Sequence, residues 1–261
     1  MIPKIIHYTW FSNDEMPQVV KDCMSSWKKI LTGYEFRLWD MQSIESIESV
    51  FLKEAISVRK WAYAADYVRL YALYHEGGIY LDTDVMVYKS FDDLLNNKVF
   101  IGKENALNIN PVDCKWAQYL TSHCMGAEPY AEYIRDCLRY FDGRSFILSD
   151  DEKLPLCLRY NYVILPYIQA VIAQGYGYKW NPKLQTIQHC DNGLTIYPSD
   201  FFCGYVFLDT SYCQHLALGS WRDKYNISTD IKSTSYIIKM KFKRIVRKFV
   251  FRFSYTIKKI D

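Results

Sequence analysis

The chain has 261 residues, half of them hydrophobic and 17% aromatic, with 32 Lys and Arg against 29 Asp and Glu. That composition excludes intrinsic disorder, collagen-like repeats and a small disulfide scaffold, leaving one large α/β domain or two small ones. The net charge of +3 is uneven, because residues 231–261 hold ten Lys/Arg and one acid while the rest hold 22 basic against 28 acidic residues. A mildly acidic body with a basic end is not the charge pattern of a nucleic-acid domain, so no nucleic-acid partner is expected.

The opening MIPKIIHYTWFSNDEMP lacks a charged segment followed by an apolar run and does not read as a secretory signal. No window of 18 uncharged apolar residues marks a transmembrane helix. The eight cysteines show no CxxC pair and no metal-ligand spacing. They read as reduced, mostly buried side chains of a cytoplasmic protein, and no zinc site is expected.

Along the chain, IPKIIHYTW (2–10) predicts a first strand, and helical spacing follows over 18–30. YEFRLWD (34–40) alternates and predicts a second strand, then Ile44, Ile47, Phe51 and Leu52 predict a helix within 41–57. WAYAADYVRLYALYHEGG (61–78) predicts a helix stopped by Gly77 and Gly78, since glycine enters the left-handed region without a Cβ penalty. IYLDTDVMVY (79–88) predicts a hydrophobic strand interrupted by two aspartates. Beyond it, strands are expected at 99–105 and 194–198, a loop at 105–113, helices at 115–125 and 130–141, and turns at Gly175 and Gly177. No internal repeat or Gly/Ser linker divides the body. Strands alternating with helices predict an α/β fold with a mostly parallel central sheet.

Asp82 and Asp84 stand two apart at the end of an apolar run. In a strand both would point to one face, and at the carboxyl edge they would face the crevice where α/β sheets bind ligands. Two carboxylates that close repel each other, and a divalent cation carrying phosphate oxygens with it is the usual compensation. The plain reading is a solvated strand end with two ordinary acids. Upstream, Asp66 and Arg69 lie three apart on the predicted helix and share a face, which in isolation reads as a surface ion pair.

Together the string AxxADYxRLYxLYxxGGIYLDTD resembles the DXD-containing glycosyltransferases of family 32, which include capsule and polysaccharide enzymes and initiating mannosyltransferases. IPKIIHYTWF resembles that family's first strand, and QHLALGSW (214–221) its closing motif, with fewer His and Trp residues than usual. The resemblance spans about residues 1–222 and implies a GT-A-like nucleotide-sugar-binding fold over 1–230. It further implies transfer of a sugar from a UDP- or GDP-sugar to a glycan or lipid-linked oligosaccharide, with retention, in surface polysaccharide synthesis. Mn²⁺ or Mg²⁺ would be held by Asp84 directly and by Asp82 through water, and His215 would supply a further metal or phosphate contact. Asp66 and Arg69 would hold the donor sugar, with Asp82 also reaching ribose and sugar. Ser220 and Trp221 would close over the β-phosphate, and Tyr8 and Trp10 would stack on the base. His123 stands where relatives often carry Asn near the acceptor side.

Two other readings compete. LDTDV also fits the first motif of haloacid-dehalogenase-like phosphatases, where the first Asp is the nucleophile, although that motif normally opens its domain. A non-catalytic carbohydrate- or nucleotide-binding module would also use abundant Tyr and Trp. Finally, at about 100° per residue, residues 236–260 put Ile238, Phe242, Ile245, Val246, Phe249 and Phe253 in one stripe, with Lys and Arg over most of the rest. A basic amphipathic C-terminal helix (231–261) on an anionic membrane surface is the expectation, placing the protein peripherally on the inner face. Packing of that helix on the acidic body is the alternative.

Overall fold

The computed structural model describes residues 1–104, 119–180, 186–203 and 209–218. The expected loop over 105–113, Ser220, Trp221 and the basic tail at 231–261 lie outside the described residues. In chain order the elements are β1 (Ile5–Thr9), α1 (Gln18–Ile30), β2 (Glu35–Trp39), α2 (Val50–Ser57), α3 (Trp61–Glu76), β3 (Gly78–Leu81), β4 (Val85–Val87) and β5 (Val99–Lys103). There follow β6 (Leu120–Ala127), α4 (Glu132–Arg139), α5 (Leu156–Arg159), α6 (Leu165–Gln174), β7 (Gln188–His189), β8 (Leu194–Tyr197), α7 (Ser199–Phe202) and β9 (Cys213–His215). Among the described residues no helix is long and apolar enough to cross a membrane.

Among the described residues seven strands form one sheet in the order β2-β1-β3-β6-β5-β8-β7. β1 runs parallel to both β2 and β3, and β5 runs parallel to β8, whereas β6 and β7 are antiparallel to their neighbours. Five strands therefore share one direction, and the sheet is mixed, mostly parallel. β4 and β9 form a separate antiparallel ribbon.

Both faces of the sheet are covered at its centre, so β3, β5 and β8 are buried along their whole length, whereas the edge strands β2 and β7 are partly exposed. On one face Tyr80, Ile101 and Met125 join a core with α2, α3, α4 and α6. On the other, Ile6, Ile79, Leu81, Phe100 and Cys124 join Trp27 of α1 and Val85 and Val87 of the ribbon.

Three expectations are corrected. The helix expected over 115–125 is the strand β6 where it is described, from Leu120 onward. LTSHCMGA is buried on both sides and hydrogen-bonded to β3 and β5, so no amphipathic period survives to mark it. Gly126 is needed there, because a Cβ would lie 2.3 Å from the Phe100 ring. The helix expected within 41–57 begins only at Val50. Asp40 Oδ1 accepts the Ser43 N–H at 2.9 Å and the Asp40 N–H donates to Ser43 Oγ at 2.7 Å, holding a turn until Ser49 caps a new start. Ile44 and Ile47 are nonetheless buried, as their spacing demanded. The single strand expected over 79–88 is two strands in different sheets, broken at the aspartates. Gly77 ends α3 as expected, with φ +67°.

Candidate active site

The carboxyl ends of β1, β2 and β3 lie at one edge of the sheet, because the three run parallel. Asp82 and Asp84 follow β3 at that edge, on a turn rather than in a strand. The Asp82 N–H donates to the His123 carbonyl at 2.9 Å and the Val85 N–H to the Asp82 carbonyl at 3.0 Å, which closes the turn. A turn frees the two side chains from a common face. Asp82 goes to α3 and Asp84 to the ribbon.

On the α3 side, Arg69 is 4% exposed and holds two carboxylates at once. Nη2 lies 2.9 Å from Asp66 Oδ1 and Nη1 lies 3.2 Å from Asp82 Oδ1. Nη1 also donates to the Ser122 carbonyl at 2.6 Å and Nε to the Ala65 carbonyl at 3.3 Å, while the Tyr80 ring lies 4.4 Å below the guanidinium carbon. Burial works against this charge, yet Asp82, Tyr80 and Asp66 hold the guanidinium above its ordinary pKa. The pair at 66 and 69 is thus a buried clamp, not a solvated ion pair. Burial pushes the Asp66 carboxyl up to about 6, opposed by Arg69 and by the Leu165 N–H at 3.4 Å.

On the ribbon side, burial would raise the Asp84 carboxyl, but His215, the Leu218 N–H and His123 bring it down to about 2. His215 Nε2 is 3.2 Å from Asp84 Oδ1, and the Leu218 N–H donates to Oδ2 at 2.9 Å. The Leu216 N–H donates to the Asp84 carbonyl at 3.0 Å. Between them Ala217 adopts φ +50°, a conformation costing a non-glycine residue about 1–2 kcal/mol, which wraps the chain around Asp84. Burial opposes protonation of His215, and Asp84 and Asp82 overcome it, raising the imidazole to about 9. His123, buried and stacked on His215, is held far below its ordinary value, first by burial and then by His215.

One ligand atom each from Asp82, Asp84 and His215 lies within 4.8 Å of the others. Two carboxylates and an imidazole are a donor set that suits Mn²⁺ or Mg²⁺ in the presence of phosphate oxygens. The residues fit such an ion.

Residues 12–101 match the model of the glycosyltransferase sugar-binding region containing a DXD motif, and Asp66, Arg69, Asp82 and Asp84 all fall inside it. This region of the chain is similar to the sugar-binding region of the DXD-containing glycosyltransferases. Inositol phosphoceramide mannosyltransferase 3 of Schizosaccharomyces pombe is 34% identical over 113 residues, which are 42% of this chain and 32% of that protein. Mannosyl phosphorylinositol ceramide synthase SUR1 of Saccharomyces cerevisiae is 28% identical over 114 residues, 42% of this chain and 30% of that one. The chain thus spans about a third of the length of these relatives. Among solved structures, PaToxG Glycosyltransferase is similar with a TM-score of 0.44 and 18% identity, over 67% of this chain and 69% of that one.

The match over 12–101 and the placing of Asp82 both weigh against the phosphatase alternative. That reading needs a free nucleophile at the head of a domain, whereas Asp82 follows the third strand and is paired with Arg69. Of the other expected contacts, Tyr8 packs edge-on against Trp27 at 5.7 Å and is half-buried. Trp10 lies just beyond β1, its indole N–H donated to the Asp14 carbonyl at 3.0 Å. It lines a groove of about 360 Å³ with Phe11, Leu38, Asp40 and Met41. Tyr80, the His123 and Ser122 carbonyls and the Leu216 and Leu218 N–H groups were not foreseen in the sequence. Tyr80 was within reach, because the strand expected over 79–88 would have put it on one face with Asp82, two residues on. Backbone donors leave no such signature.

Proposed function

We propose that the protein is a metal-dependent glycosyltransferase that moves a sugar from a UDP- or GDP-sugar to a glycan or lipid-linked acceptor. The observation that carries this reading is the meeting of Asp82, Asp84 and His215 at the carboxyl edge, beside the Arg69 clamp on Asp66 and Asp82. A bound divalent ion supplies Lewis acidity to the departing diphosphate. Asp84 and His215 would hold it, with Asp82 completing the set directly or through water. Asp66, ionised at neutral pH and fixed by Arg69 and the Leu165 N–H, would accept hydrogen bonds from donor-sugar hydroxyls and so orient the anomeric carbon. The groove at Trp10 offers an aromatic wall for the base, and Ser220 and Trp221 are assigned the β-phosphate by their motif alone.

Retention of configuration and a role in surface polysaccharide synthesis rest on the family resemblance. The names of the relatives make a mannosyl donor the first to try. We assign the catalytic unit to 1–230 and peripheral attachment on an anionic membrane to residues 236–260. The test is thermal stabilisation by a panel of UDP- and GDP-sugars with Mn²⁺, since a ligand that binds only the folded state raises stability with its concentration. One nucleotide class should raise the melting temperature in a Mn²⁺-dependent way. Asp84→Asn should abolish both that shift and transfer while the fold persists. Full transfer by Asp84→Asn would reject the metal assignment.

A further inference from the structure

His123 belongs to none of the expected metal ligands, yet it is joined to two of them. Its carbonyl accepts the Asp82 N–H at 2.9 Å, which sets where the DXD turn leaves β3. Its ring lies face to face with His215, with centroids 4.4 Å apart and planes within 24°. The ring itself is fixed, being 2% exposed, with Nε2 donating to the Phe202 carbonyl at 3.3 Å and Nδ1 3.8 Å from Glu104. β6, which carries it, is paired on both sides and is among the most enclosed strands of the sheet.

His215 has less support of its own. It is the last residue of a three-residue strand, and the chain turns away at Ala217, two residues later. The terminal torsion of a histidine is broad, so packing decides where its nitrogens point. Metal-ligating imidazoles need an outer partner to set ring orientation, and loss of such partners typically weakens metal binding. Here the ring that stands against His215 is flat, buried and hydrogen-bonded.

We propose that His123 is a positioning residue, stacked against His215 so that Nε2 stays aimed at the space shared with Asp84 and Asp82. The role rests on the metal reading above. It requires a planar ring at 123 and does not require that ring to touch donor, acceptor or ion. A neighbour of any other shape leaves the His215 ring free to rotate, and the third ligand atom then leaves the cluster for part of the time.

The probe is Mn²⁺ alone, titrated into the full chain and followed by the electron paramagnetic resonance of the free ion, with folding checked by circular dichroism. His123→Ala should weaken Mn²⁺ binding by about 10–100-fold, the usual effect of losing an outer-shell partner. His123→Phe, which restores a flat ring without the Phe202 hydrogen bond, should bind within about threefold of the parent, where a tenfold loss would be the outer-shell effect. In a His215→Ala background His123→Ala should have no further effect, because the two act as one unit. If His123→Ala does not fold, His123→Leu takes its place with the same expectation. Parent-like affinity in His123→Ala, or equal losses in the Ala and Phe variants, overturns the positioning role alone when Asp84→Asn and His215→Ala still lose Mn²⁺. If those two also bind like the parent, the metal site itself is wrong and the role falls with it.

Discussion

Arg69 satisfies Asp66, Asp82 and two backbone carbonyls with a single planar fork, and no other side chain could do so from one helical position. Removing it leaves two partly buried carboxylates without their shared partner. Arg69→Ala should therefore destabilise the fold by about 3–5 kcal/mol, the range for breaking one side of a buried ion pair, as read from urea denaturation. Arg69→Lys separates structure from function. One ammonium can neutralise one carboxylate but cannot span both, so much of the stability should return while transfer stays down about a hundredfold from misplaced carboxylates. Recovery of stability and turnover together in the Lys variant would show that charge alone, not the fork, is what the site needs.

At the scale of elements, one buried histidine joins three of them. His7 on β1 donates Nε2–H to the Gly77 carbonyl at the end of α3 (2.8 Å) and accepts the Trp39 indole N–H of β2 at Nδ1 (3.0 Å). Both nitrogens are satisfied only in the neutral ring. Glu76 is 3.9 Å from Nδ1 and favours a proton there, but burial dominates and holds the imidazole below its ordinary value. A base with a depressed folded pKa stabilises fully above its unfolded value near 6.5 and loses that contribution as pH falls towards the folded one. Stability should thus decline between pH 7.5 and 5, and His7→Gln should show a shallower decline in urea midpoint over that range. An identical slope would assign the decline to other groups.

The same elements show what was readable in advance. β1, α1, β2 and α3 followed from periodicity and from the glycines after α3, because each buries one recognisable face or ends in a residue suited to its backbone. β6 and the turn before α2 did not. Burial on both sides erases the period of the first, and a local Asp40–Ser43 exchange overrides helical spacing in the second.

For the whole molecule, the candidate residues at 66, 69, 82, 84 and 215 converge although they come from three separate stretches of chain. Their types and spacing were legible. Their division between two layers was not, since it depends on where β3 stops, and a run such as IYLDTDVMV contains no residue that forbids a continuous strand. That break has a mechanical result. Trp27 Nε1 donates to the Val85 carbonyl at 2.7 Å and the Val87 N–H donates to Ser26 Oγ at 2.9 Å, so the β4–β9 ribbon hangs on α1, in the core opposite α3. Asp82 is anchored in the one core and His215 belongs to the ribbon of the other. An ion shared by them acts as a rivet through two plates, and the plate with fewer fastenings gains most. Adding Mn²⁺ should slow amide hydrogen exchange at 213–218 far more than in β1 or β2, and uniform slowing across the sheet would show that the plates were already joined.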